Sequence, residues 1–370
     1  MSKNYFLVTS NHYSLSGISD HVKILLSIFE ENNLNLKVSD EIVAGENNII
    51  IDEFTNLGFN QRFKNLDLKK TRLVLVATEF ITNKNNFKTF NSFEITWLNI
   101  LIIKFLFPIS IFFKYLWSFK VTGFKLNTGV SKSIDNSLRY VLKFIFFNVY
   151  KFFTTEKIRR YLYDYQRYKL FTKYIKYFPE IIVFHKELHN HYSLFVKNNN
   201  LNINVLEPLY PIIENKVLKE ISNKKYSFFM SGTPTNFRFK QFDALKKIIS
   251  FGLLEDKFFN VPFCDFFFKA FEKDTPNYLF SYHPTQTSEW KFSSPIRIYR
   301  SLSVDYSIPI VDKYFHDHPI EKLCLKKDDQ IYLTTKNLYL KKKSNYDMVK
   351  LLNEYNSFSL KNNRKILGSI

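Results

Sequence analysis

At 370 residues the chain exceeds what one hydrophobic core usually organises, and 45% apolar residues supply material for two. The net charge is +19, but the 53 Lys and Arg are spread along the sequence. No zinc-finger, glycine-aromatic RNA or helix-turn-helix pattern accompanies them, so no nucleic-acid partner is expected and an anionic surface is the better fit. Cys264 and Cys324 give no metal-ligand spacing and only one possible disulfide, the usage of a reducing compartment.

Tyr5 to Ser10 reads as a strand, Asn11 to Asp20 as a polar loop containing Gly17, and Val22 to Glu31 as an amphipathic helix. The opening apolar run is too short for a secretory leader, and a cytoplasmic location is the expectation. Asn48 to Ile51 and Arg72 to Ala77 are further short apolar strands. Strands alternating with helices predict an α/β, doubly wound, Rossmann-like domain over 1–210. Ligands in such folds lie beyond the carboxyl ends of the strands, which nominates His12, Asp20 and His21. A carboxylate or imidazole there is suited to take a proton from an acceptor hydroxyl.

Residues 93–153 carry a different signal. Trp97 to Trp117 is long enough to span a bilayer and has tryptophan at both ends, while Asn99, Lys104, Pro108 and Lys114 speak against a simple span. Leu138 to Phe147 repeats the apolar-basic composition. An interfacial element, with aromatic rings at the acyl boundary and lysines at the headgroups, accounts for both runs; a pair of core helices is the alternative. A peripheral place on an anionic membrane is therefore expected.

Glu180 to Phe184 is the next strand, followed by His185, Lys186, Glu187, Leu188 and His189; His185 and Glu187 join the catalytic candidates by the same strand-end rule. His185 and His189 share one helical face and His191 is near, a pattern that invites a metal. Lys186 stands where a zinc-protease motif needs Glu, and no third ligand is identifiable, so no metal is expected. Asn204 to Leu206 leads into Pro208 and Pro211, a proline-marked boundary between a first domain, 1–210, and a second, 211–345.

The second domain opens on Tyr226 to Met230, a strand, then Ser231, Gly232, Thr233 and, shortly after, Arg238 and Lys240. Further on, Tyr282 and His283 with Pro284 read as a polar loop that leads through Glu289 to Ser293, Ser294 and Pro295. Hydroxyls at a helix start with proline in its first turn suit an N-terminus, where free N–H groups and the helix dipole attract phosphate. Arg297 and Arg300, three apart, add planar, permanently charged forks beside it. Ile308 to Val311 is a buried-strand signal, and His316, Asp317 and His318 read as a polar loop.

In this order the motifs resemble the donor half of GT-B glycosyltransferases, group 1 (family 4) in particular. There a Ser-Ser-Pro helix start, a basic residue and a Pro-Val-Val-like strand follow a strand with a glycine turn. The resemblance implies two Rossmann-like domains facing a cleft and transfer of a sugar, hexose by preference, from a nucleotide donor to a lipid-linked or surface-glycan hydroxyl. It implies that Gly232, Thr233, Arg238, Lys240, His283, Glu289, Ser293, Ser294, Pro295, Arg297 and Arg300 surround the donor, without a metal cofactor. Two departures stand out: Arg300 occupies the position of the family's ribose-holding glutamate and Phe292 that of its earlier carboxylate. His-Pro followed by paired serines is also similar to enzymes that use CMP-activated acidic sugars of the Kdo or sialic-acid type. Loss of both carboxylates suits a non-catalytic, membrane-associated glycan-binding relative. Tyr346 to Tyr355 has Met348, Leu351 and Leu352 at helical spacing, which the resemblance makes a helix crossing back to the first domain, and Lys361 to Ile370 is expected to fray.

Overall fold

The computed structural model describes residues 4–9, 16–51, 67, 70–78, 170–231, 236–255, 266–269, 277–285, 295–312, 318–341 and 346–368. The chain divides into two compact units: 1–51, 69–80 and 178–370 form one, 52–68 and 81–177 the other. The apolar-basic segment 93–153 lies outside the described residues, and among those described no helix is long and apolar enough to cross a membrane.

Both sheets belong to the first unit. β1 (Tyr5–Val8), β2 (Leu36–Ser39), β3 (Asn47–Ile50), β4 (Arg72–Val76), β5 (Glu180–Ile182) and β6 (Asn204–Val205) form a sheet in the order β2-β1-β3-β4-β5-β6. Every neighbouring pair in it is parallel. The second sheet runs β11-β10-β9-β7-β8, again all parallel. Its strands are β7 (Lys225–Ser231), β8 (Phe266–Lys269), β9 (Tyr278–His283), β10 (Ile308–Val311) and β11 (Leu325–Lys326). Parallel strands are covered on both faces, which explains the unbroken apolar runs: Ile49, Ile50, Leu73 to Val76, Phe228 to Met230, Ile308 and Ile310 are all buried.

Numbered within themselves, the sheets share one winding, 2-1-3-4-5, with β6 added to the first. The chain steps outward from its first strand, returns, and then winds the other way. Each sheet thus has a switch point, between β1 and β3 and between β7 and β9, where flanking loops part and leave a crevice. Tyr282 and His283, expected in a loop, are the last residues of β9 and are both buried. The polar His-Pro pair disguised a strand end that carries side chains into the interior.

Seven helices are seen among the described residues: α1 (Ser16–Glu31), α2 (Lys186–Asn198), α3 (Lys216–Asn223), α4 (Asn236–Glu255), α5 (Pro295–Ser303), α6 (Ile331–Lys341) and α7 (Tyr346–Leu367). The last continues well past Tyr355, and Asn363, Ile366 and Leu367 are buried where fraying was expected. The reason is a run of amide contacts with the extended segment after β6. Asn363 donates to the Tyr210 carbonyl at 2.7 Å and accepts its N–H at 3.1 Å; Asn356 does the same to Ile213 at 2.8 and 2.9 Å. Asn362 and the Tyr355 hydroxyl donate to the carbonyls of Pro208 and Pro211, at 2.7 and 2.8 Å. Seven helical residues rise about 10.5 Å, and three extended residues cover about 10 Å. The side-chain amides therefore match the backbone as a neighbouring strand would. Pro208 and Pro211 have no N–H to satisfy, and the contacts supply what remains.

Candidate functional site

The switch point of the second sheet gathers most of the basic residues singled out from the sequence. β7 ends at Ser231, and two residues into α4 comes Arg238, 2% exposed and among the largest fully buried side chains described. Lys240, two positions on, is exposed, because a step of two carries a side chain to another face of the helix. From the neighbouring β9 the chain passes buried Pro284 and Thr285 and enters α5 at Pro295, whose missing N–H costs nothing at a first helical position. Gly232, Thr233, Glu289, Ser293 and Ser294 lie outside the described residues, as does His12.

Arg297 and Arg238 are near enough for their charges to oppose each other. Burial lowers the Arg238 guanidinium to about 10. Burial and then the Arg238 charge lower Arg297 to about 9, so both stay protonated at neutral pH. Two desolvated like charges in the first turns of α4 and α5 repel each other, and an anion between them would lower that repulsion. Among the described residues the Asp20 carboxylate is the one acid acting on Arg297.

His283 takes a different place from the phosphate contact implied by the resemblance. Its Nε2 is 2.6 Å from the Ser301 hydroxyl and 3.0 Å from that of Ser281, and Ser301 Oγ in turn donates to the Arg297 carbonyl at 3.0 Å. The ring brackets β9 to α5 and fixes the helix that carries Arg297. Burial, reinforced by Arg297, Arg238 and Arg300, brings its imidazole down to about 3, which keeps it neutral.

Arg300 is held internally. Its Nη1 lies 3.3 Å from both oxygens of Asp20 on α1, and its Nε lies 3.8 Å from Asp305 just after α5. The pair joins a helix of the first sheet to one of the second. Burial raises the Asp20 carboxyl, with Arg300 opposing, and raises Asp305 to about 6. Lys224, lowered to about 8 by burial, donates to the Asp305 carbonyl.

The remaining candidates gather at the end of β5. His185 caps α2, with Nδ1 accepting the Leu188 N–H at 3.2 Å and lying 3.2 Å from Glu187 Oε2. Burial lowers this imidazole. The His21 ring lies 5.5 Å from that of Phe184. His318, expected in a polar loop, is 3% exposed. Its Nδ1 accepts the Ile320 N–H at 3.2 Å, so Nε2 carries the proton and donates to the Phe184 carbonyl at 3.3 Å. Asp20 stands with the arginines, whereas His185 and Glu187 share an electrostatic neighbourhood with His318.

His189 lies 3.7 Å from Glu207, and the His191 ring packs on Tyr192 at 5.4 Å. Among the described residues no three His, Cys, Asp or Glu are placed to hold a metal. Sequence reasoning missed Asp305, His318 and a polar knot at the ends of β9 to β11. There Lys327 donates to Tyr282 Oη at 3.0 Å and Gln241 at 2.9 Å, and Tyr282 donates to Asp312. Asp312 just past β10 and Lys327 just past β11 were the available signal for the knot. No protein-family model, curated protein or solved structure matches the chain.

Proposed function

We propose that the chain is a GT-B glycosyltransferase that moves a sugar from a nucleotide donor to a hydroxyl of a lipid-linked or cell-surface glycan at the inner face of the cytoplasmic membrane. One observation carries the reading: Arg238 and Arg297 flank the switch point of the second parallel sheet, where α/β folds receive ligands, and in sequence they follow the Gly232 and Ser293-Ser294-Pro295 motifs. The arginines neutralise the leaving phosphate, the α5 start adds its dipole, and no metal is needed for that charge. On the acceptor side the candidates are His21, His185 and Glu187, after the first sheet's strands, where a base takes the acceptor proton, while Asp20 stays paired with Arg300.

The test is donor turnover. Wild type releases nucleotide from one member of a panel of UDP-, GDP-, ADP- and CMP-sugars when a membrane glycolipid extract is supplied. Arg297→Ala lowers kcat/KM by about 10- to 100-fold, the effect of losing a charge-assisted contact to phosphate. Full activity in Arg297→Ala removes Arg297 from the site, and absence of turnover with every donor leaves a non-catalytic glycan-binding protein. A CMP-sugar as the one substrate assigns the acidic-sugar form of the reaction.

A further inference from the structure

One arginine serves two buried acids. Asp20 is 9% and Asp305 4% exposed, and Arg300 contacts both, at 3.3 and 3.8 Å. With both acids ionised the three groups carry a net charge of −1 (two carboxylates against one guanidinium), and each carboxylate disfavours ionisation of the other. Asp20 is also faced by Lys23 from its own helix and by Arg297 from α5. Asp305 is also faced by Lys224, from the segment between α3 and β7. Arg297, which helps to keep Asp20 ionised, also belongs to the anion site. A pocket of about 170 Å³ opens onto Asp20, Lys23 and Arg300, so solvent has a route to Asp20.

An anion bound at Arg297 cancels part of the positive field that holds Asp20 as a carboxylate. The two acids then have too little positive charge between them, and one takes a proton. We propose that an anion bound at Arg238 and Arg297 enters together with a proton shared by Asp20 and Asp305 across Arg300. The inference rests on the reading of that switch point as an anion site. Burial already brings Asp305 to about 6, so the uptake falls in a range accessible to the folded protein. Because the bound state holds more protons than the free state, affinity weakens as pH rises and strengthens as it falls.

The experiment is a pH-stat titration of the full chain at pH 6.5 with sodium sulfate, whose own second proton is lost at far lower pH. Sodium chloride at equal ionic strength is the reference, and sulfate binding is read separately from the melting temperature. Wild type takes up on the order of a few tenths of a proton per molecule with sulfate and none with chloride. Arg297→Ala loses the uptake. Asp20→Asn and Asp305→Asn each lose it too, because the remaining acid then has Arg300 to itself and stays ionised. Uptake that persists in either Asn variant overturns the sharing, and sulfate stabilisation of wild type without uptake overturns the inference while leaving the anion site standing. No stabilisation by sulfate removes the anion site and the inference together.

Discussion

Arg300 departs from the glutamate of the resembled family, and its partners give the departure a physical role. The side chain is committed to Asp20 and Asp305, so it joins two helices, whereas Arg297 is the residue proposed to meet the anion. The buried histidines set a pH dependence with a definite sign. His283 and His318 are both held near 3 by burial, whereas an unfolded histidine takes its proton near 6.5. Their contribution to stability is complete above about pH 6.5 and is lost as pH falls toward the folded values. Between pH 6.5 and 5 each removes about 2 kcal/mol. Asp305, raised to about 6, acts in the opposite direction. Its folded form keeps a proton that the unfolded chain releases, so acidification from 6 to 5 restores about 1 kcal/mol. The expected net result is weaker folding at pH 5 than at pH 7, measured by urea unfolding. Equal stability at the two values contradicts neutral, desolvated histidines.

At the scale of elements, α7 is where side chains do the work of a strand. Asn363→Ala leaves the N–H and C=O of Tyr210 without the Asn363 amide, and the expected cost is about 2–3 kcal/mol, read from the urea midpoint. A change below about 0.5 kcal/mol indicates that water replaces the amide freely. The helix itself was legible as far as Tyr355 from Met348, Leu351 and Leu352. Its continuation was not, because Asn362 and Asn363 look like solvent-facing residues until the segment they match, some 150 residues earlier, is brought beside them. The same contrast runs through the sheets. Ile49, Leu73 to Val76 and Ile308 to Val311 announced buried parallel strands by unbroken apolar sequence. Leu36 to Ser39 did not, since β2 is an edge strand with exposed Lys37 and Val38. His283 was mistaken for loop because its partners, Ser281 two residues back and Ser301 on the next helix, are polar ones that only the fold assembles. Arg297 and Arg300 were both visible as a pair three apart. Their different fates were not, since Asp20 lies 280 residues from Arg300.

At the scale of the whole molecule, two parallel sheets of the same winding lie in one compact unit with the arginines at the second switch point. The Asp20–Arg300 pair, the His318–Phe184 contact and the amide contacts of α7 tie elements of the first sheet to those of the second. The net charge of +19 raises the local concentration of any anionic ligand. The central claim is that the second switch point binds the phosphate of a nucleotide. The most direct measurement is the melting temperature of wild type and Arg297→Ala with UDP, GDP, ADP and CMP in turn. One nucleotide, at about a hundred times its dissociation constant, adds roughly 2.7 kcal/mol to wild type, and the increment is largely lost in Arg297→Ala. Equal stabilisation of both proteins, or no shift with any of the four at millimolar concentration, contradicts the account.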